Sequence, residues 1–134
     1  MVGDSVYSDI IRDHFDHPRH VGTFDSGTTA VGTGMVGNPF QGDVLKLQIQ
    51  VNAHGVITAA RFKAYGGVPT IAAGSLVTGW LAGRSLAEAG RISNREIAAA
   101  LALPPEKIHC AVLAEEAIKA AIADYVARQS GSNR

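Results

Sequence analysis

Cysteine is nearly missing from this sequence: Cys110 is the only one in 134 residues. A single thiol excludes an internal disulfide. Net charge is missing too, since 12 basic side chains balance 12 acidic ones. That leaves no electrostatic footprint for nucleic acid or for an anionic membrane surface. No apolar run approaches the length of a transmembrane helix. The N-terminal stretch carries acids and histidines where a secretory signal would place an apolar core. The expected location is therefore the cytoplasm. No repeat and no linker-like stretch divides the chain, so a single domain over residues 1–134 is expected. Its 46% hydrophobic and 18% charged residues describe a folded globule rather than a disordered tail.

What is present sorts by period. Tyr7, Ile11 and Phe15 repeat at helical spacing, with Ser5 or Ser8 available as a cap and Pro18 as a stop. Ala30–Gly37 is glycine-rich and reads as extended. Val44–Val51 alternates, with Leu45, Leu47, Ile49 and Val51 on one face and Lys46, Gln48 and Gln50 on the other. Asn52-Ala53-His54-Gly55 is turn chemistry, and Val56–Tyr65 alternates again, which makes a hairpin. The period then becomes helical. Thr70–Leu81 places Ile71, Leu76, Val77, Trp80 and Leu81 on an apolar stripe, with Gly83 as a stop. Ser85–Glu88 and Ser93–Glu96 fit the capping box. The last helix spans Ile108–Arg128, with Ile118, Ile122, Tyr125 and Val126 facing the core and a Glu115–Lys119 pair outside; Gln129–Arg134 is expected to fray. Two or three strands followed by four helices predict an α+β fold, with helices packed on one face of a small antiparallel sheet.

Three constellations bear on chemistry. Gly32-Thr33-Gly34-Met35-Val36-Gly37 has the spacing GxGxxG, but it leads into a strand rather than a helix. A dinucleotide site is therefore not expected, and the glycines are read as allowing a tight loop or a close backbone approach. His14, His17 and His20 cluster near Pro18, which breaks the helix between them, so they are read as solvated. Within Leu103–Glu115, two prolines precede a lysine, and His109 and Cys110 then open the last helix. A thiol at a helix N-terminus is favoured as thiolate. Adjacent helical side chains point about 100° apart, so this pair suits a shared metal better than a Cys–His dyad. A structural cysteine beside an exposed histidine is an equal alternative at this point. Without a positioned general base, an enzyme using Cys110 as nucleophile finds little support.

From end to end the chain resembles the IscU/NifU N-terminal-domain family of iron–sulfur cluster scaffolds. The matching stretches include Val31–Gly37, Gly42-Asp43-Val44, Tyr65-Gly66, Ser75–Thr78, Leu103-Pro104-Pro105, Lys107-Ile108-His109-Cys110 and Ala117–Tyr125. The resemblance implies a three-stranded antiparallel sheet with helices across one face. It also implies a site of three cysteines, an aspartate and a histidine, holding a [2Fe-2S] cluster or zinc. Asp43, His109 and Cys110 match three of those five positions, with Lys107 beside them; Gln41 and Gly67 stand where the other two cysteines belong.

The departures set the expectation. A [2Fe-2S] cluster takes four protein ligands, and this chain offers one thiolate. The resemblance therefore implies a divergent, non-enzymatic scaffold-family protein with a mononuclear zinc or iron(II) site at Asp43, His109 and Cys110. The alternative is a metal-free module that engages the cysteine desulfurase or another assembly factor. The family's desulfurase passes persulfide sulfur to a scaffold cysteine, a role open to Cys110. Its Hsp70-type chaperone reads a Leu-Pro-Pro-Val-Lys loop, and Glu106 in place of the valine argues against that docking. Val68-Pro69-Thr70-Ile71 replaces the small polar residues usual around the second cysteine, read here as a loop relaxed after losing its ligand, with a reshaped pocket as the alternative.

Overall fold

A computed structural model describes residues 7–38, 40 and 42–132. Helix α1 (Asp9–Asp16) is followed by strands β1 (Val31–Asn38), β2 (Asp43–Val51) and β3 (Ile57–Tyr65). Helices α2 (Val68–Leu81), α3 (Leu86–Ala89) and α4 (Asn94–Leu101) come next. A 3₁₀ turn (Pro105–Lys107) then leads into the long α5 (Ile108–Ser132). The strands form one antiparallel sheet in the order β1-β2-β3, which is the expected fold class.

Alternation in β2 divides the sheet into two faces. Leu45, Leu47 and Ile49 are fully buried, while Lys46, Gln48 and Gln50 face the other way, as their period requires. Register carries that division across the sheet: Leu47 lies between Gly34 and Phe62, Ile49 between Gly32 and Ala60. Helix α5 packs on β1 and β2, and α2 packs on β3. The core lies between these helices and the sheet.

The glycines of β1 explain how α5 comes so close. A Cβ on Gly32 would collide with the Ala121 carbonyl and the Tyr125 side chain, and one on Gly34 with the backbone of Ala117 and Ala121. The GxGxxG spacing is thus a contact surface for a helix, matching the close-approach reading. The α5 face that meets it is alanine-rich: Ala111, Ala114, Ala117 and Ala121 are buried together with Ile118. Val126, expected in the core, is 50% exposed, because the small-residue stripe sets the helix rotation. The helix also continues to Ser132, past the expected fraying point; residues 133 and 134 lie outside the described residues.

Helix α2 corrects another expectation. It is buried almost all round, with Ala72, Ala73, Gly74, Ser75 and Thr78 enclosed beside Leu76, Val77 and Leu81. The sheet lies on one side, and α1, α4 and α5 cover the rest, so no wide polar face is left. Its start is at Val68, capped by Gly67 without a side-chain bond.

Caps follow the sequence closely. Ser8 caps α1 through Ile11 N–H, and its hydroxyl also donates to the Leu101 carbonyl at 2.6 Å, tying α1 to the end of α4; the alternative cap Ser5 lies outside the described residues. Ser85 and Glu88 form the full capping box, whereas at α4 only the Ser93 half is present. Glu115 serves α4 instead, accepting from Asn94 N–H at 2.7 Å while also pairing with Lys119 at 3.3 Å. The polar sheet face is partly covered: Phe24 N–H donates to Gln48 Oε1, and the Arg61 guanidinium sits 5.2 Å over the Phe24 ring.

Candidate metal centre

Three elements begin at one place. Asp43 is the first residue of β2, Thr70 lies in the first turn of α2, and His109 and Cys110 lie in the first turn of α5. The start of α2 therefore faces the carboxylate through Gly67 N–H, which favours its anion. Among the described residues, Asp43, His109 and Cys110 form the one group of three or more ligand-type side chains able to share an ion, with donor atoms within 4.8 Å of one another.

The separations are specific. His109 Nε2 lies 3.2 Å from Asp43 Oδ2, and Cys110 Sγ lies 3.6 Å from His109 Nε2. Donors placed tetrahedrally around one zinc-sized ion, at ordinary bond lengths, stand roughly 3.3–3.7 Å apart. Two of the separations are close to that range, and all three donor atoms lie within 4.8 Å of one another. They do not fit a two-iron cluster, which needs four ligands, and only one of these is a thiolate.

Two expectations at this site are corrected. His109 and Cys110 are not held apart: the imidazole Nε2 lies 3.6 Å from Cys110 Sγ and 3.2 Å from Asp43 Oδ2. Nor is the thiolate favoured. Burial pushes the Cys110 thiol above its ordinary value, and the Asp43 carboxylate adds to that, while the Thr70 hydroxyl and Lys107 pull it down. Cys110 is buried, and its desolvation outweighs what Thr70 and Lys107 return. Asp43 shows the opposite balance. Burial opposes its ionisation, but bonds from Thr70, His109 and Gly67 outweigh it and hold the carboxyl below the usual range.

Thr70 was not among the expected site residues. Its hydroxyl donates to Asp43 Oδ1 at 2.8 Å and lies 3.4 Å from Cys110 Sγ. In the second contact either atom can donate. The only sequence signal is a threonine in an otherwise apolar first turn. Beside it, Gly66 adopts φ +150°, and a Cβ there would strike Asp43 Oδ1, so a glycine is needed for the carboxylate to lie in place. Gly67 donates to the same oxygen at 3.4 Å; a Cβ at 67 would meet nothing closer than Pro69 Cδ at 3.7 Å. The frame thus still has room for the side chain it lacks. Gln41 lies outside the described residues. Lys107 is half-buried in the 3₁₀ turn, and Glu106 beside it is exposed.

The other histidines stay apart from this centre. His17 and His20 are exposed, in keeping with a solvated reading. His14 is not: its Nδ1 lies 2.7 Å from the buried Ser75 hydroxyl and 3.1 Å from Arg19 Nη1. A guanidinium can only donate, so Nδ1 is the acceptor. Burial, then the Arg19 charge, lowers the His14 pKa. No helix among the described residues is long and apolar enough to cross a membrane.

Comparison with known proteins agrees with this frame. The NifU-like N-terminal domain family matches residues 6–132. The iron–sulfur cluster assembly scaffold protein IscU of Escherichia coli strain K12 is 57% identical over 124 residues, covering 92% of this chain and 97% of that protein. IscU of Haemophilus influenzae is 55% identical over 124 residues, covering 92% and 98%. The crystal structure of a hypothetical protein superposes with a TM-score of 0.69 at 27% identity, over 85% of this chain and 94% of that one. A match across nearly the whole sequence, with relatives above half identity and the same three-stranded architecture, makes this chain a member of the NifU-like N-terminal domain family.

Proposed function

We propose that this chain is a divergent, non-enzymatic iron–sulfur cluster assembly scaffold protein that holds one zinc or iron(II) ion at Asp43, His109 and Cys110, in place of a self-sufficient [2Fe-2S] centre. The observation that carries the reading is the convergence of one carboxylate oxygen, one imidazole nitrogen and one sulfur at 3.2 and 3.6 Å. Such a set supplies three ligands and leaves the fourth position to water or to a donor from outside the chain. When bound, the ion displaces the thiol proton, so loading releases acid. Docking of an Hsp70-type chaperone at Leu103–Lys107 is disfavoured, because it would bury the Glu106 carboxylate, which is costly when unpaired.

Metal analysis of protein loaded with zinc and then desalted tests the reading. About one ion per chain is expected, lost in Cys110→Ala; metal no higher than in the alanine variant overturns it. A second reading, a metal-free module that binds the cysteine desulfurase, draws on a separate observation. Thr70, Gly67 and His109 already satisfy Asp43 without any ion. Capture of the desulfurase that persists under chelation, with no metal bound, favours that second reading.

A further inference from the structure

We propose that Thr70 is a positioning residue for the metal centre: its hydroxyl fixes Asp43 so that the carboxylate offers a divalent ion a single oxygen, Oδ2, beside His109 Nε2 and Cys110 Sγ. This deepens the mononuclear reading above and rests on it.

Thr70 is 1% exposed, so its hydroxyl has no water to turn to and must bond within the protein. It donates to Asp43 Oδ1 at 2.8 Å, and Gly67 N–H approaches the same oxygen at 3.4 Å. Both bonds fall on Oδ1, while Oδ2 points to His109 Nε2 at 3.2 Å. The two carboxylate oxygens thus have different roles: one is anchored to the start of α2, and the other faces the ligand cluster. An anchored carboxylate cannot swing to clasp an ion with both oxygens. Monodentate binding keeps the coordination number low and leaves a place for an outside ligand. It also disfavours the hard cations that collect many oxygens, magnesium and calcium, relative to zinc or cobalt(II). Hydrogen bonds that orient a ligand commonly set metal affinity by one to two orders of magnitude.

The test is a cobalt(II) titration of the full chain, followed by visible absorption and by competition with zinc. Thr70→Val keeps the shape and removes the hydroxyl, whereas Thr70→Ser keeps the hydroxyl. The expected result is a thiolate-to-cobalt band and tetrahedral d–d bands in the unaltered chain. Thr70→Val is expected to bind about 10- to 100-fold more weakly, with weakened d–d bands, and Thr70→Ser to restore both readouts. If the valine variant does not fold by circular dichroism, Thr70→Ala replaces it in the same comparison. Binding by the unaltered chain with no loss in the valine or alanine variant overturns the role of Thr70 alone. Absence of cobalt binding by the unaltered chain overturns the mononuclear reading, and the role of Thr70 with it.

Discussion

At the scale of single residues, Cys110 sits under opposed influences, and their order decides its chemistry. A helix N-terminus favours the thiolate, but burial beside Asp43 disfavours it more, and the thiol is raised above 9.0. The metal-free protein is therefore expected to react slowly with iodoacetamide at pH 7, and quickly once unfolded in guanidinium; equal rates in both states would contradict the burial. The sign for stability follows. Above pH 9.0 the unfolded chain loses its thiol proton first, so this group's contribution falls as pH rises toward the folded value. His109 and Cys110 were legible as ligand candidates from their residue types, and Asp43 from the family resemblance. Thr70 was not, because its role exists only once the starts of β2, α2 and α5 meet. The His109–Cys110 approach was misread for a related reason: a spacing of about 100° describes Cβ directions, and a long side chain can still turn toward its neighbour.

At the scale of elements, β1 and α5 form the tightest junction. Period-two alternation revealed β2 and β3, but β1 carries glycines where its core-facing side chains would be. Its partner is the alanine stripe of α5, which carries only a weak hydrophobic signal; hence the misplacement of Val126. Gly34→Ala is expected to cost about 1–3 kcal/mol or more by overpacking, read from the urea midpoint. A midpoint unchanged from that of the unaltered chain would deny the close approach. The same junction is sealed by Asp124 Oδ2, which accepts from Thr33 N–H on the free edge of β1 at 2.8 Å and from Arg128 Nε at 2.9 Å. The Thr33 bond, with Arg128 in support, holds that carboxyl below 3.8, and the Asn94 N–H holds Glu115 below 4.5. Both depressed groups contribute stability that is fully present above those values and lost as pH falls through their folded ones. Asp124→Asn is accordingly expected to flatten the loss of stability below pH 3.8 in urea titrations; an unchanged acid limb would remove Asp124 from that role.

At the scale of the whole molecule, an intact frame carries an altered centre. The sheet order, the α5 packing and the Asp43–His109–Cys110 convergence are in place, and Gly67 leaves space where a ligand side chain would stand. What differs is donor chemistry, and donor chemistry was readable from the sequence, since glutamine and glycine at positions 41 and 67 bring no thiolate. The most direct measurement of this claim is anaerobic reconstitution of the full chain with iron(II) and sulfide, followed by desalting, visible absorption and iron and sulfide analysis. The account predicts about one metal ion per chain and no sulfide-bridged chromophore on the monomer. A monomer that keeps two irons and two sulfides on its own side chains would contradict it.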